Sequence, residues 1–225
     1  MLFLDRTQAG RVLASALAKY AGRHDVIVLA LPRGGVPVAY EVACALDAPL
    51  DIFLVRKLGV PGHEELALGA IASGGICVLN EDVVHGLGLS NEVIQGVIEK
   101  ERGELQRREQ AFRGNRPPPL VSGQIVILID DGLATGSTMR AALAALQGRR
   151  PAKIIVAVPV GAPETCTAFQ QEADEVICAR TPEPLWSVGS WYDDFTQTTD
   201  EEVCRLLEKA ARRKRTKLAI QNTHS

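Results

Sequence analysis

The chain predicts an α/β fold, a mostly parallel twisted sheet flanked by helices, on three observations. Residues 26–31, 126–129 and 154–160 are apolar runs without polar alternation, the pattern of strands buried on both faces of a parallel sheet. Each run passes through a short turn into a helical stretch, the order of βαβ units. With 225 residues, 46% hydrophobic and 23% charged, the length suits a single domain over 1–225 with its core at about 26–180.

Taken in order, Asp5 and Gln8 form a capping box ahead of Val12, Leu13, Ala16, Leu17 and Tyr20, which recur at helical spacing. The strand at 26–31 ends in Pro32, Arg33, Gly34 and Gly35 before a helical stretch over 38–46. Gly34 and Gly35 allow close backbone approach and Arg33 sets a cation beside them, although a plain βα turn with a surface arginine reads the same way. Residues 52–55 predict a third strand running into Arg56 and Lys57, cations at a strand's carboxyl end, where ligands bind in open α/β sheets. Gly59, Pro61 and Gly62 predict a mobile loop over 58–68, carrying His63, Glu64 and Glu65 and able to close over a site. A hairpin follows, 67–72 and 76–79, turning at Ser73, Gly74 and Gly75.

Residues 90–112 place Val93, Ile94, Val97, Ile98 and Leu105 on one stripe and predict a long helix, its charged face a solvated or subunit-facing surface. The strand at 126–129 then ends on Asp130 and Asp131. It continues through Gly132, Leu133, Ala134, Thr135, Gly136, Ser137 and Thr138 into a helix rich in Ala and Leu over 139–147. Small side chains let backbone amides approach an anion, a helix amino end adds unsatisfied N–H groups, and three hydroxyls can donate. Ionised Asp130 and Asp131 accept hydrogen bonds and suit a ligand's paired hydroxyls. The pattern suits a sugar phosphate, with Arg33, Arg56 and Lys57 as a second anion site fit for pyrophosphate. Neither G-x-x-x-x-G-K-[ST] nor G-x-G-x-x-G occurs.

Pro163 predicts the start of a helix over 164–172, and 175–179 a last strand. Leu185, Trp186, Val188, Trp191, Tyr192 and Phe195 form an aromatic segment that reads equally as a surface stacking a planar base or a plug packing on the sheet. Thr199 and Glu202 cap a final helix from 200 to about 213, so the aromatic segment and helix span 185–213. The basic end, with Lys209, Arg212, Arg213, Lys214, Arg215 and Lys217, reads first as a frayed helix terminus. A net charge of −2 argues against nucleic acid, and no apolar run approaches the roughly 18 residues of a membrane span. The amino terminus lacks the basic region of a signal peptide. Five scattered cysteines without a C-x-x-C pair predict neither a disulfide framework nor a zinc site, and fit a reducing cytoplasm.

A hydrophobic strand, two acidic residues and a small Thr/Gly loop together resemble the signature of the type I phosphoribosyltransferases. L-P-R-G-G-V-P at 31–37 resembles that family's pyrophosphate loop, and R-K-L-G-V-P-G at 56–62 the start of its flexible loop. With Glu65, Leu66, Ala67, Gly69 and Ala70, the chain is similar to a group of predicted bacterial phosphoribosyltransferases. The resemblance implies an enzyme that uses 5-phosphoribosyl 1-pyrophosphate (PRPP) and Mg²⁺ to transfer the phosphoribosyl group to a small nitrogenous acceptor, as a homodimer. It implies that residues 132–138 hold the 5-phosphate, that Arg33, Gly34 and Gly35 hold pyrophosphate, and that Arg56 and Lys57 act catalytically on the leaving group. It gives Asp130 and Asp131 the ribose hydroxyls and the metal, in part through water, and makes the aromatic segment a hood with Trp186 and Trp191 against the acceptor. Gly132 departs from the family, which usually carries an aliphatic residue there. Ala134 stands where the 6-oxopurine enzymes carry Asp, which argues against hypoxanthine and guanine, while D-D-x-L-A-T-G-x-T-M resembles the adenine enzymes' cradle. The second reading is a phosphoribosyltransferase-like regulator that senses PRPP or a nucleotide and binds nucleic acid through the basic tail.

Overall fold

The computed structural model describes residues 2–114 and 116–223, with the side chains of 214–223 outside the described residues, Lys214, Arg215 and Lys217 among them. The elements are α1 (Arg6–Ala16), β1 (Val26–Ala30), α2 (Gly35–Leu46), β2 (Leu50–Ile52), β3 (Val55–Val60), β4 (His63–Ala72), β5 (Ile76–Leu79), α3 (Glu81–Gly86), α4 (Asn91–Arg113), β6 (Ile125–Ile129), α5 (Ser137–Gln147), β7 (Lys153–Val160), α6 (Pro163–Phe169), β8 (Glu175–Arg180) and α7 (Asp200–Thr223). Five parallel strands form the main sheet in the order β2-β1-β6-β7-β8, and β3-β4-β5 form a separate antiparallel sheet.

Double-sided burial explains the unbroken apolar runs. Along β1, Val26, Val28 and Ala30 face one core with α2 and α7, while Ile27 and Leu29 face the other with α5 and α6. β6 repeats the alternation, Ile125, Ile127 and Ile129 on one side and Val126 and Leu128 on the other. A polar residue at any of these positions would lose water without gaining a partner. Helix starts follow the expected caps: Asp5 accepts from the Gln8 amide at 2.7 Å, Ser90 caps α4 and Thr199 accepts from the Glu202 amide. No helix among the described residues is long and apolar enough to cross a membrane. At the basic end, Arg213 donates to the Cys44 carbonyl and Lys209 lies over the Tyr40 ring, so both serve the packing of α7 on α2.

Three expectations are corrected. The third strand does not run from 52 into Arg56. It ends at Ile52, and the chain crosses at Phe53 and Leu54 into the second sheet, so Arg56 and Lys57 lie on β3. Residues 58–68 are no loop but the β3–β4 hairpin. Pro61 and Gly62, the latter at φ 79°, make its two-residue turn, and Gly59 sits at a register shift, so the apparent breakers are turn and bulge residues. Finally, Cys166 on α6 and Cys178 on β8 form a disulfide, their Cα atoms 6.8 Å apart, against the expectation of unpaired thiols. Nothing in a twelve-residue separation without a motif announces that pairing, and the argument for a reducing compartment from scattered thiols loses its footing. Thiol titration of the denatured, unreduced protein is expected to find Cys44, Cys77 and Cys204 free, and five reactive thiols would contradict the pair.

The long helix α4 carries Gly103 on its exposed face, with nothing near the position of an added Cβ. Gly103→Ala is therefore expected to stabilise the protein by about 1 kcal/mol, the helix-propensity difference, read as a higher denaturation midpoint.

Candidate active site

The strand order reverses direction between β1 and β6: β1 connects toward β2 on one side, and β6 leads to β7 and β8 on the other. The carboxyl ends of two such strands diverge into a crevice where open α/β sheets bind ligands. Both sequence-predicted loops lie there. The Leu31 amide donates to the Ile129 carbonyl at 2.8 Å, locking the 31–35 turn beside the end of β6. Gly35 approaches so closely that a Cβ would stand 2.7 Å from the Ile129 oxygen and 2.9 Å from the Asp130 Cα. At Gly34 a Cβ would lie 2.0 Å from Oδ2 of Asp131. The two glycines are thus required by contact between the loops.

Asp130 is half-buried, and its Oδ1 accepts from the Asp131 amide at 2.9 Å. Burial pushes its carboxyl well above the usual carboxylate range, with the Asp131 charge as the second cause. Burial also raises Asp131, opposed by the Arg6 guanidinium. Arg6 contacts Oδ2 of Asp131 through Nε at 2.9 Å and NH2 at 2.8 Å. Tyr192 donates its hydroxyl to the Asp131 carbonyl at 2.6 Å, and burial raises its phenol, which keeps it a donor. Two adjacent, half-buried carboxylates favour a cation or a set of hydroxyl donors.

Beyond Asp131 the chain forms an open cup. Leu133 is buried and bridges to Gly161, its amide donating to the Val160 carbonyl at 2.9 Å, whereas Ala134, Thr135, Ser137 and Thr138 line the more open side. Gly136, at φ 73°, is the N-cap of α5 and offers no side-chain cap. The first-turn amides of α5 are left facing the cup, in contrast to α1, α4 and α7, which carry capping side chains. Thr165 of α6 donates to the Ala134 carbonyl at 2.6 Å, and a Cβ at Gly136 would meet the Phe169 ring at 2.5 Å, so α6 braces the cup from behind.

The aromatic segment divides. Phe3, Ala9, Val160 and Tyr192 make a small core with Leu185, Val188, Trp191 and Phe195 packed on it, which matches a plug. Trp186 stays open, 86% exposed. Val188 explains the Gly132 departure: a Cβ at Gly132 would stand 2.3 Å from Cγ1 of Val188, so the segment's own side chain fills the aliphatic position.

Arg33 pairs with Asp200 at 3.4 Å and remains half-exposed. Arg56 pairs with Glu101 of α4, and Lys57 donates to the Glu65 carbonyl at 3.2 Å. Their partners belong to the hairpin and α4, not to the β1 and β6 loops. Both cations line a groove of about 570 Å³ between the hairpin and α4, with Pro61, Gly96 and Lys100. Arg6 is a site residue that local sequence rules miss. Its partner lies 125 residues away, and nothing nearby marks an arginine in a first helical turn as functional.

A family model for the phosphoribosyl transferase domain matches residues 4–191. Over 211 residues the chain is 48% identical to a Mycobacterium tuberculosis protein provisionally named a phosphoribosyl transferase, covering 94% of this chain and 47% of that one. The chain thus spans about half the length of these mycobacterial relatives. It is 28% identical over 176 residues to a uracil phosphoribosyltransferase of Lactobacillus gasseri, covering 74% of this chain and 80% of that one. The crystal structure of the Thermus thermophilus protein TT1426 superimposes with a TM-score of 0.82 at 41% identity, covering 92% of this chain and 98% of that chain.

Proposed function

The chain belongs to the phosphoribosyl transferase domain family, and we propose that it transfers the phosphoribosyl group of PRPP to a nitrogenous acceptor with release of pyrophosphate. The observation that carries the reading is the convergence, at one switch point, of a carboxylate pair, an uncapped helix start and a close-packed glycine turn. In this reading the 5-phosphate sits in the cup of residues 132–138, receiving amides from the first turn of α5 and the hydroxyls of Thr135, Ser137 and Thr138. Asp130 and Asp131 accept from the vicinal ribose hydroxyls, and the turn of Arg33, Gly34 and Gly35 receives pyrophosphate.

As the bond from C1 to the pyrophosphate oxygen breaks, positive charge grows on the sugar and negative charge on the leaving group. The acceptor nitrogen then bonds to C1 and gives up its proton. Fixed cations beside the departing oxygens stabilise that separation, the role given to Arg33, Arg56 and Lys57. Lys57 and Arg56 would reach the site by movement of the β3–β4 hairpin, releasing Glu65 and Glu101.

Mg²⁺ fits the donor set. The two carboxylates offer hard oxygen ligands, Asp131 being engaged by Arg6 through Oδ2 alone, and among the described residues no group of three or more metal-binding side chains occurs, so phosphate oxygens and water would complete its shell. When bound, it neutralises charge on the pyrophosphate. A dimeric state belongs to the same proposal and rests on the family resemblance.

The test is calorimetric titration with PRPP and Mg²⁺, then a pyrophosphate-release screen including adenine and uracil. Binding with release on one acceptor identifies the substrate, binding without release moves the protein to the regulator class, and no binding overturns the reading. Lys57→Ala is expected to lower turnover about a hundredfold with little change in PRPP affinity, because its charge matters most as pyrophosphate leaves. An unaltered kcat would remove Lys57 from the mechanism.

A further inference from the structure

Arg6 is built into the site from several sides. Besides Asp131 it donates through NH1 to the Thr196 carbonyl at 2.8 Å, and its guanidinium lies 3.9 Å from the centroid of the Phe195 ring. Its side chain is 11% exposed, and a Cβ on Gly34 would stand 3.3 Å from its Nε. It occupies one edge of the carboxylate only: both contacts fall on Oδ2 of Asp131, while Oδ1 has no hydrogen-bond partner among the described residues.

We propose that Arg6 is the positioning residue of the ribose subsite, gripping Asp131 by Oδ2 so that Oδ1 is held in the one orientation that receives the sugar hydroxyls. This rests on the phosphoribosyl transfer reading. An exposed Asp rotates among several rotamers, and ordering it on each binding event costs free energy that the Arg6 grip has already removed. The neighbours fit the role. Asp130 is tied to the Asp131 amide, Tyr192 holds the Asp131 carbonyl, and Arg33 is engaged by Asp200, so Arg6 is the cation that addresses the Asp131 side chain. The amino-terminal helix and the carboxyl-terminal aromatic segment thereby meet on one carboxylate, an arrangement the parallel bridge between Phe3 and Tyr192 secures.

The experiment compares binding of ribose 5-phosphate and 2-deoxyribose 5-phosphate to the full chain and to Arg6→Gln, Arg6→Lys and Phe195→Leu, with circular dichroism as the fold check. The wild type is expected to favour the ribose form by about tenfold, the worth of one hydrogen bond to a charged group. Arg6→Gln should bring that ratio below about threefold while leaving the deoxy sugar within about twofold, and Arg6→Lys, keeping charge with one contact, should recover part of it. Phe195→Leu, which removes the ring beneath the guanidinium, should fall between, and it decides the matter if Arg6→Gln does not fold. A full ratio in Arg6→Gln, or equal loss of both sugars, overturns the positioning role. A wild type that binds neither sugar phosphate overturns the functional reading itself.

Discussion

Asp131→Ala is expected to weaken PRPP binding by about tenfold to a hundredfold, and to destabilise the fold at the same time. The binding loss follows from removing a charged acceptor of a ribose hydroxyl, worth about 1.5–3 kcal/mol, together with a counter-charge near the metal position. The stability loss follows from Arg6, which keeps its place with its side chain 11% exposed and loses the charge it was paired with. Orphaning a buried ion costs about 3–5 kcal/mol, and the lower end applies because the Asp131 side chain is 17% exposed. Calorimetry and urea denaturation separate the two effects. The double variant Arg6→Gln with Asp131→Ala should be more stable than Asp131→Ala alone, since it also removes the orphan cation, and binding should not recover. Unchanged PRPP affinity in Asp131→Ala would remove this carboxylate from the ribose subsite.

Gly35→Ala is expected to be nearly as damaging by a different route. The new methyl would meet the Ile129 carbonyl at 2.7 Å and the Asp130 Cα at 2.9 Å, both backbone atoms that no rotamer change can clear. The 31–35 turn must therefore lift from the end of β6, weakening the bond from the Leu31 amide to Ile129 and parting the pyrophosphate turn from the carboxylate pair. Overpacking of this kind costs about 1–3 kcal/mol. Displacement of a positioning group by roughly 1 Å can cost about a hundredfold in rate, so kcat/KM should fall by that order. The opposite sign expected for Gly103→Ala makes a control within the same chain: identical chemistry, open space in one case and fixed backbone in the other. Wild-type kinetics in Gly35→Ala would show that the two loops do not need their close contact.

Local chemistry makes much of this site readable from residues alone. Residues 126–138 carry their own instruction, because a strand buried on both faces must be apolar throughout, its carboxyl end must expose whatever follows, and an uncapped helix start needs small residues around it. The same holds for β1 and the glycine turn after it. The hairpin at 55–72 defeats such reading because Gly59, Pro61 and Gly62 are equally the marks of a mobile loop and of a bulge with a tight turn. What separates the two is cross-strand pairing, such as Lys57 with Ala70, which is not a local property.

Neighbouring residues were therefore enough to specify the α/β class and the succession of strand, turn and helix around β1, β6 and β7, and to mark the carboxylates and the small-residue turn after β6 as candidates, since each depends on interactions within about a dozen positions. Folding in three dimensions was needed to bring Arg6 onto Asp131, Val188 into the space above Gly132 and Cys166 against Cys178, and to hold Arg56 and Lys57 with Glu101 and Glu65. Most of these are meetings of elements distant along the chain, set by how the sheet twists and which faces its helices cover, and no spacing rule written in the sequence reaches that far.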